Sequence, residues 1–391
     1  MYQGQFILSQ ILSLVNKYEF NKCVDKYNGD NKIREFSCWQ QFIYLIFGQL
    51  TYRESIHDII NCFTAQRKKM YHIGIETVVS ISTVTRANEN RNWQIYADFG
   101  KYLIKIARSL YMIDNKFVID LDNTVYALDS TTIDLCLKTF WWARFRKKKG
   151  AVKMHTLLDL RGNIPAFICI TNGKVHDVNI LDTIVFEPAA FYIMDKGYID
   201  FNRLYKIKMA SAFFVTRAKI NLQFMVVKSK KLTINQKEAG LKCDQTIRLT
   251  VTKSKKEYPE KLRRIKYKDI ETGKIYTFLT NNFELDALII AALYKQRWQI
   301  ELFFKWIKGH LKIKTFWGHS ENAVKMQIWI AICSFLLVAI AKKQYKIEQT
   351  IYEMLQVISV CAFDKIPINE LFSKPTNEIS KNESCKQLTL I

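Results

Sequence analysis

Hydrophobic residues recur at helical spacing in the first third of the chain and alternate with polar residues in its middle. Up to about residue 110 the pattern predicts helices over Phe36–Leu50, Tyr52–Phe63 and Ser82–Tyr111, separated by polar breaks. An all-helical N-terminal domain is therefore expected at residues 1–112. Three helices suit a helix-turn-helix-like module that places one helix in the major groove of DNA, and they suit an all-helical packing or dimerisation domain equally well.

From residue 113 the pattern changes to short runs rich in β-branched and aromatic residues. These runs predict strands at 117–129, 131–140, 151–160, 164–171 and 191–195. Helices are predicted near 177–186 and 200–208. Turns at Lys147–Gly150 and Asp159–Asn163 indicate an antiparallel run of strands that is followed by αβ units. The predicted fold class is α/β with a mixed sheet.

A second set of strand patterns lies before the last apolar helices. Alternating runs are found at 246–253, 263–269 and 274–281, and they predict a β-rich insertion at residues 217–285. The insertion could contact a ligand or serve only as a structural lid. The core domain would then consist of 113–216 and 286–345. A tail at 346–391 is expected to be helical up to Cys361 and mobile from Ser373 to Ser384.

The apolar stretch from Met326 to Ala341 could be mistaken for a membrane span. It is bounded by Lys325 and Lys342, and it is shorter than the roughly 20 residues needed to cross a bilayer. A buried helix, and no membrane partner, is expected. The nine cysteines contain no Cys-x2-Cys pair, and the opening Met-Tyr-Gln-Gly lacks the basic start and apolar block of a secretory leader. These features predict a cytoplasmic protein.

Net charge indicates the kind of partner. The 391 residues contain 59 Lys+Arg against 36 Asp+Glu, a formal net charge of +23, which favours a polyanion such as DNA, RNA or an acidic membrane. One basic tract is expected on a hairpin tip beside Asp129, where it could bind the DNA backbone. It contains Arg144, Arg146, Lys147, Lys148 and Lys149. His176, in a loop after a strand, could contact DNA or assist a metal site, although a lone loop histidine is more often incidental.

The segment from Tyr294 to Lys308 has the most informative spacing in the chain. On one continuous helix, Tyr294, Arg297, Glu301 and Lys308 would fall within a sector of about 60°. That face would present one acid among phosphate-binding groups. A solvated stripe with an Arg297–Glu301 pair four residues apart would give the same pattern.

Two further carboxylates, Asp129 and Asp195, each end a predicted apolar strand. Ligands gather at such ends in open α/β sheets, although a lone Asp there commonly just caps the next element. With Glu301 they supply three carboxylates, and Mg²⁺ prefers oxygen ligands. Two such ions about 3.5–4 Å apart can activate an attacking oxygen and stabilise a leaving one, which suggests phosphodiester cleavage or transfer.

The order Asp129, then Asp195-Lys-Gly-Tyr, then Tyr294-x2-Arg297-x3-Glu301-x6-Lys308 resembles the DDE transposases of bacterial insertion sequences. The spacing matches the IS-four family at all four positions of its Tyr-Arg-Glu-Lys signature, and the resemblance extends over residues 1 to about 345. It implies a ribonuclease-H-like catalytic core. It also implies that the three acids are the catalytic triad and bind two Mg²⁺ ions, for which Mn²⁺ could substitute.

The resemblance further implies that Tyr294, Arg297 and Lys308 hold the phosphates of the transposon end. Trp298 could stack on an unpaired base near the cut, or it could be a core indole. The expected function is a DNA transposase that cleaves the ends of an insertion sequence and joins them to target DNA, as a homodimer on double-stranded DNA at the nucleoid. The alternatives are a ribonuclease-H-like nuclease without strand transfer and an inactive, transposase-derived DNA-binding protein.

Overall fold

The structure, a computed structural model, describes residues 4–114, 119, 121–146 and 149–373. The first part of the chain is helical, as the hydrophobic spacing predicts. Its helices are α1 (Ile7–Ser13), α2 (Lys17–Lys26), α3 (Cys38–Leu50), α4 (Ile56–Ala65), α5 (Arg67–Met70), α6 (Ile81–Asn90) and α7 (Gln94–Asp114). The predicted helices at 36–50 and 52–63 correspond to α3 and α4.

The prediction of one helix over Ser82–Tyr111 is wrong, because the chain breaks between α6 and α7. Asn322 binds the break with its side-chain amide, which donates to the Arg91 carbonyl at 2.5 Å and accepts from the Trp93 N–H at 3.2 Å. The backbone groups that lose helical hydrogen bonds at the break therefore bind a residue from a much later part of the chain. Local sequence contains no sign of that partner.

Eight further α-helices follow in the described part of the chain, and α13 is the longest of them. They are α8 (Phe201–Met209), α9 (Ile234–Glu238), α10 (Thr252–Glu257), α11 (Ala287–Lys295), α12 (Trp298–His310), α13 (Glu321–Gln344), α14 (Ile351–Cys361) and α15 (Ile368–Leu371). The helix predicted at 200–208 matches α8. The one predicted at 177–186 is wrong, since only a 3-10 segment, Asp177–Asp182, forms there.

The described residues form one ten-stranded mixed sheet. Its strands are β1 (Val125–Leu135), β2 (Arg144–Arg146), β3 (Lys149–Asp159), β4 (Ile164–Asn172), β5 (Phe191–Met194), β6 (Phe213–Arg217), β7 (Phe224–Ser229), β8 (Leu241–Leu249), β9 (Leu262–Lys268) and β10 (Ile275–Thr280). The order is β2-β3-β1-β5-β6-β10-β9-β8-β7, and β4 pairs with β3. Neighbours β1, β5 and β6 are parallel, whereas the other pairs are antiparallel. The predicted mixed α/β fold is confirmed.

Strand β1 corrects the prediction of two strands at 117–129 and 131–140. A single strand continues through the polar residues because β3 stays paired with it, with Asp129 opposite Thr156 and Ser130 opposite His155. Asp129 therefore lies within a strand and not at its end. Of the predicted first strand, positions 117, 118 and 120 lie outside the described residues.

The strands of the predicted insertion continue the same sheet, because β10 pairs with β6. Predicted strands at 263–269 and 274–281 correspond to β9 and β10. The run at 246–253 is misplaced, since β8 ends at Leu249 and α10 follows. A buried ion pair fastens β8 to β9: Arg263 donates to the two oxygens of Asp244 at 2.8 and 2.7 Å.

Helix α13 contains the stretch predicted as a buried helix. At 24 residues it is longer than the apolar stretch suggested, and by length and composition alone it could cross a membrane. In the structure, however, 94% of its most apolar 18-residue stretch is buried within the protein. The helix packs on α7 and α3. After α15, residues 374–391 are not described, so most of the predicted mobile end lies outside the described residues.

Candidate active site

Arg297 joins two of the three predicted acids. Its Nη1 donates to Asp129 Oδ2 at 2.9 Å, and its Nη2 donates to Glu301 Oε1 at 2.5 Å. The predicted continuous helix is wrong, because α11 ends before Gln296 and α12 begins after Arg297. The turn between them nevertheless directs the guanidinium onto β1.

Asp195 directly follows β5, as predicted, and is held by two other residues. Arg217 donates to its Oδ1 from Nε at 2.9 Å and from Nη2 at 2.5 Å, and the Tyr294 hydroxyl donates to the same oxygen at 3.3 Å. Arg217 is the last residue of β6, the parallel neighbour of β5. The sequence analysis missed it, although an apolar strand that ends in a charged residue is the same signal that identified Asp195.

Strand register brings Asp129 and Asp195 to the same part of the sheet. Leu128 pairs with Met194, so each acid follows one member of a parallel pair. The three acids influence one another electrostatically, since Glu301 and Asp195 both raise the pKa of Asp129. Within the described part of the chain, however, no three His, Cys, Asp or Glu side chains are grouped closely enough to hold a metal ion. Arginine guanidinium groups bind the carboxylates instead.

The two strand acids differ in proton affinity. Burial raises the pKa of Asp129 to about 6, against the opposing effects of the Ser130 N–H and of Arg297. Burial also opposes ionisation of Asp195, but the hydrogen bonds and charge of Arg217 outweigh it, and the pKa of Asp195 is lowered. Two carboxylates whose pKa values are moved apart are typical of catalytic sites.

Of the other residues of the Tyr-Arg-Glu-Lys spacing, Tyr294 contacts Asp195, and Lys308 contacts the same strand as Asp129. Lys308 donates from Nζ to the Thr132 carbonyl of β1 at 2.6 Å, and burial lowers its pKa. Tyr294 is buried, whereas the side chain of Trp298 is 56% exposed. A cavity of about 560 Å³ lies beside them, and its lining includes Arg217, Tyr294, Arg297 and Trp298.

The predicted basic tract does not lie beside Asp129. Asp129 pairs with Thr156, whereas Lys149 begins the same strand, roughly 20 Å away at about 3.3 Å per residue. Arg144, Arg146 and Lys149 are exposed, and residues 147 and 148 (both lysines) lie outside the described residues. The described residues of the tract, Arg144, Arg146 and Lys149, therefore form a separate basic surface at the far end of the β1–β3 ladder.

His176 is exposed and precedes the 3-10 segment. The acidic residue next to it, Asp177, is the one that reaches β1: it accepts a hydrogen bond from Ser130 Oγ at 2.8 Å and binds Lys153 at 3.0 Å. The sequence places Asp177 beside His176 in this loop but indicates no separate role for it, because a loop carboxylate without a motif partner carries no signal of its own.

Comparison with known families decides what this site belongs to. A family model described as a transposase DDE domain matches residues 120–337, the range that contains all three acids. The chain belongs to the transposase DDE domain family. A second family model, described only as a domain of unknown function, matches residues 3–76 of the transposase.

Curated relatives agree with this assignment. The transposase is 37% identical over 63% of its length to a Sinorhizobium fredii protein assigned as the transposase y4zB, and it covers 69% of that protein. It is 24% identical over 74% of its length to a Synechocystis protein assigned as the transposase of insertion sequence element IS4SA, covering 79% of it. A solved piggyBac transposase synaptic complex with hairpin DNA is similar at 12% identity and a TM-score of 0.43, over 94% of this chain and 80% of that one.

The protein is therefore a DNA transposase, a DDE-type enzyme that acts on DNA. The transposase DDE domain in turn implies dependence on a divalent metal ion.

Proposed function

We propose that Asp129, Asp195 and Glu301 are the catalytic acids of an insertion-sequence transposase of the IS-four family. The observation that carries the proposal is the set of contacts made by the signature residues: Arg297 binds Asp129 and Glu301, and Tyr294 binds Asp195. Residues far apart in sequence are thus joined at one place on the sheet. The parallel strands β1, β5 and β6 with the antiparallel β3 beside them support a ribonuclease-H-like core.

The three acids have the oxygen chemistry that a divalent ion requires, although among the described residues they are not grouped closely enough to hold an ion while the arginines bind them. All three acids offer carboxylate oxygens, the ligands that Mg²⁺ prefers, and Asp129 and Glu301 already bind the two ends of one guanidinium group. We assign two Mg²⁺ ions, or Mn²⁺ in their place, to Asp129, Asp195 and Glu301. When bound, such ions activate an attacking oxygen and stabilise the leaving oxygen of a phosphodiester.

Arg297 would change partners when DNA binds. A phosphate offers the guanidinium the same bidentate acceptor as a carboxylate does. The Nε of Arg297 is buried and makes no hydrogen bond to any described residue, so one donor is already unused. Transfer of Arg297 to a DNA phosphate would free the oxygens of Asp129 and Glu301. The same residue would thus bind the DNA and uncover the acids.

The reaction consists of two displacements at phosphorus. In the first, a water oxygen forms a bond to the phosphorus at the element's end, the bond to the 3′-oxygen breaks, and a free 3′-hydroxyl results. In the second, that hydroxyl attacks a phosphodiester of the target DNA and replaces its 3′-oxygen. Arg297, Tyr294 and Lys308 would hold phosphates in place, and Trp298, which is exposed beside the cavity, would stack on an unpaired base.

The rest of the molecule would serve this reaction on double-stranded DNA. The N-terminal helices (residues 1–112) would bind the element's end, the insertion (217–285) would lie along it, and the exposed Arg144, Arg146 and Lys149 would contact the backbone outside the core (113–216 and 286–345). Synapsis of two ends requires two active sites, so we propose a homodimer. It would act at the nucleoid in the cytoplasm.

The triad is tested by three single variants: Asp129→Asn, Asp195→Asn and Glu301→Gln. Each is expected to bind the element's terminal duplex normally and to lose Mg²⁺-dependent cleavage by a factor of at least about 10³. Asp134→Asn is the matched control, because Asp134 is an exposed carboxylate on the same strand as Asp129. Normal cleavage by any of the three variants would refute the assignment.

Strand transfer is tested separately with a pre-cut end. The wild-type protein should join the free 3′-hydroxyl to a second duplex, and the joined product is detected on a denaturing gel. A protein that cuts but never joins would be a nuclease and not a transposase of this mechanism.

A further inference from the structure

A polar cluster lies on the opposite face of the sheet from Arg297, directly behind Asp129. Side chains alternate between the two faces along a strand, and residues paired across an antiparallel ladder share a face. Ser130 pairs with His155, and Thr132 pairs with Lys153, so these four side chains lie on one face of β1 and β3. Asp129 points to the other face, toward α12.

Asp177 closes this cluster from the loop that follows β4. It accepts a hydrogen bond from Ser130 Oγ at 2.8 Å and from Lys153 Nζ at 3.0 Å. Lys153 also donates to the Val175 carbonyl at 2.9 Å, which ties the same loop to β3. Nδ1 of His155 lies 3.8 Å from Asp177 Oδ1. The carboxylate is thus surrounded by donors from both strands.

His155 shows that the cluster is built into the core. Its side chain is fully buried, and Nε2 lies 2.8 Å from Thr171 Oγ1 on β4, while Nδ1 has no hydrogen-bond partner among the described residues. Burial lowers the pKa of His155 to about 4, so the ring is neutral. Lys153 is then the cation that balances the charge of Asp177.

Ser130 connects the cluster to the catalytic acid. Its backbone N–H donates to Asp129 Oδ1 at 2.8 Å, while its hydroxyl is held by Asp177. This connection falls where β1 has lost a neighbour, since the β1–β5 pairing ends at Leu128 and Met194. Beyond that point β1 is paired on one side only, and an edge of this kind opens more readily than a strand paired on both sides.

We propose that Asp177 is a positioning residue for Asp129, which it orients through Ser130. The inference rests on the proposed role of Asp129 as a catalytic acid. By fixing the Ser130 hydroxyl, Asp177 holds the Asp129–Ser130 peptide against β3 on the half-paired stretch of β1. The Ser130 N–H then stays aimed at one oxygen of Asp129, which leaves the other oxygen for the reaction.

The test uses Ser130→Ala, Asp177→Asn and the double variant, each compared with wild type for cleavage of the element's end. Residues that orient a ligating side chain typically contribute 10- to 100-fold. We expect each single variant to cleave about 10- to 100-fold more slowly, and the double variant to be no slower than the worse single one, because both changes break one chain of contacts. Ser130→Thr keeps the hydroxyl and should cleave nearly as well as wild type.

A second measurement separates positioning from folding. Binding of Mn²⁺ to the protein–DNA complex is measured from the EPR signal of the free ion. The affinity should fall about 10-fold in Ser130→Ala and in Asp177→Asn. The melting temperature of Ser130→Thr should equal that of wild type. Asp182→Asn is the matched control: Asp182 lies on the same 3-10 segment but binds Arg203 and Lys206, at 2.6 and 3.0 Å, and not β1. Its Mn²⁺ affinity should equal that of wild type.

Three outcomes would overturn the inference: equal Mn²⁺ loss in Asp182→Asn, wild-type cleavage by Ser130→Ala, or a double variant whose loss is the product of the single losses. Asp129→Asn in the same assays distinguishes this failure from a failure of the proposed function. If Asp129→Asn is inactive while Ser130→Ala and Asp177→Asn behave as wild type, only the positioning role is lost. If Asp129→Asn itself cleaves, the proposed function is wrong.

Discussion

At the scale of single residues, the ionised form of Asp129 destabilises the folded protein. An Asp whose pKa is raised from 3.8 to about 6 binds its proton more tightly in the folded than in the unfolded protein. Its stabilising contribution is fully present below pH 3.8 and is lost as the pH rises through about 6. At neutral pH the ionised carboxylate therefore lowers the stability of the fold, and the catalytic role that we propose for Asp129 would explain why it is kept.

The Asp129→Asn variant should consequently be more stable than wild type at pH 8. Asparagine has the shape of the protonated acid and no charge to desolvate, so the free energy of unfolding should rise by roughly 1–3 kcal/mol. Urea unfolding at pH 8 measures the difference, and it should shrink toward zero at pH 4. Asp134→Asn, at an exposed position on the same strand, should show no gain. A loss of stability at pH 8 would contradict this account.

If Asp129 has the proposed catalytic role, we expect it to set the lower pH limit of cleavage. Below a pH of about 6, Asp129 is protonated and offers a poor ligand, whereas Asp195, whose pKa is lowered, stays ionised. Single-turnover cleavage at saturating DNA should therefore fall about tenfold per pH unit below about 6 and be flat above it. A rate that is independent of pH between 5 and 8 would show that Asp129 does not titrate in the reacting complex.

At the scale of elements, close packing of α7 on α13 supports the core. A Cβ at Gly100 would lie 2.8 Å from a ring carbon of Trp329, a buried side chain with no room to move. At Gly309 of α12, by contrast, a Cβ would meet nothing within 4 Å. The two glycines thus occupy their helices for different reasons.

Alanine should have opposite effects at these two positions. Gly100→Ala should destabilise the protein by about 1–3 kcal/mol through overpacking. Gly309→Ala should stabilise it by up to about 1 kcal/mol, because alanine favours the helix and costs no contact. Thermal unfolding of both variants provides the comparison. Equal shifts of the same sign would indicate that the approach of α7 to α13 does not limit the space at Gly100.

Elements with a clean local pattern were predictable from the sequence, whereas features set by distant partners were not. The strands at 151–160 and 164–171 follow from short local runs of strand-forming residues, and they correspond to β3 and β4. The end of β1 could not be found, because Ser130 and its polar neighbours stay in the strand only through pairing with β3. The break before α7 depends on Asn322. For the site, strand ends and spacing pointed to the candidate acids and Arg297, but Arg217 reaches Asp195, and Asp177 reaches Ser130, solely through tertiary structure.

At the scale of the whole molecule, positive charge outweighs negative charge, and two arginine side chains lie within the candidate active site. The net charge is +23, and Arg297 and Arg217 each bind carboxylates there. Without DNA these arginines neutralise the acids. We propose that polyanionic DNA competes for the same guanidinium groups, in which case DNA binding and metal binding should strengthen each other.

Metal binding should therefore depend on DNA. Wild-type protein alone should bind Mn²⁺ weakly, and addition of the terminal duplex should tighten binding at least about tenfold, a typical coupling of more than 1 kcal/mol. Arg297→Gln should bind Mn²⁺ without DNA, because the acids are no longer paired with that guanidinium. Lys365→Gln, an exposed change between α14 and α15, serves as the control. Equal Mn²⁺ affinity of the wild type with and without DNA would contradict the exchange.

The pairing of β10 with β6 limits how this enzyme can be re-engineered. The insertion supplies the hydrogen-bonding neighbour of β6. Deleting it would leave β6 as an unpaired edge strand next to Asp195, with the buried side chains of Phe214 and Val215 on that strand. A protein that lacks the insertion should aggregate. A replacement segment taken from a relative must supply a strand that pairs with β6. The insertion belongs to the same sheet as the candidate active site, so it cannot be removed as an independent domain.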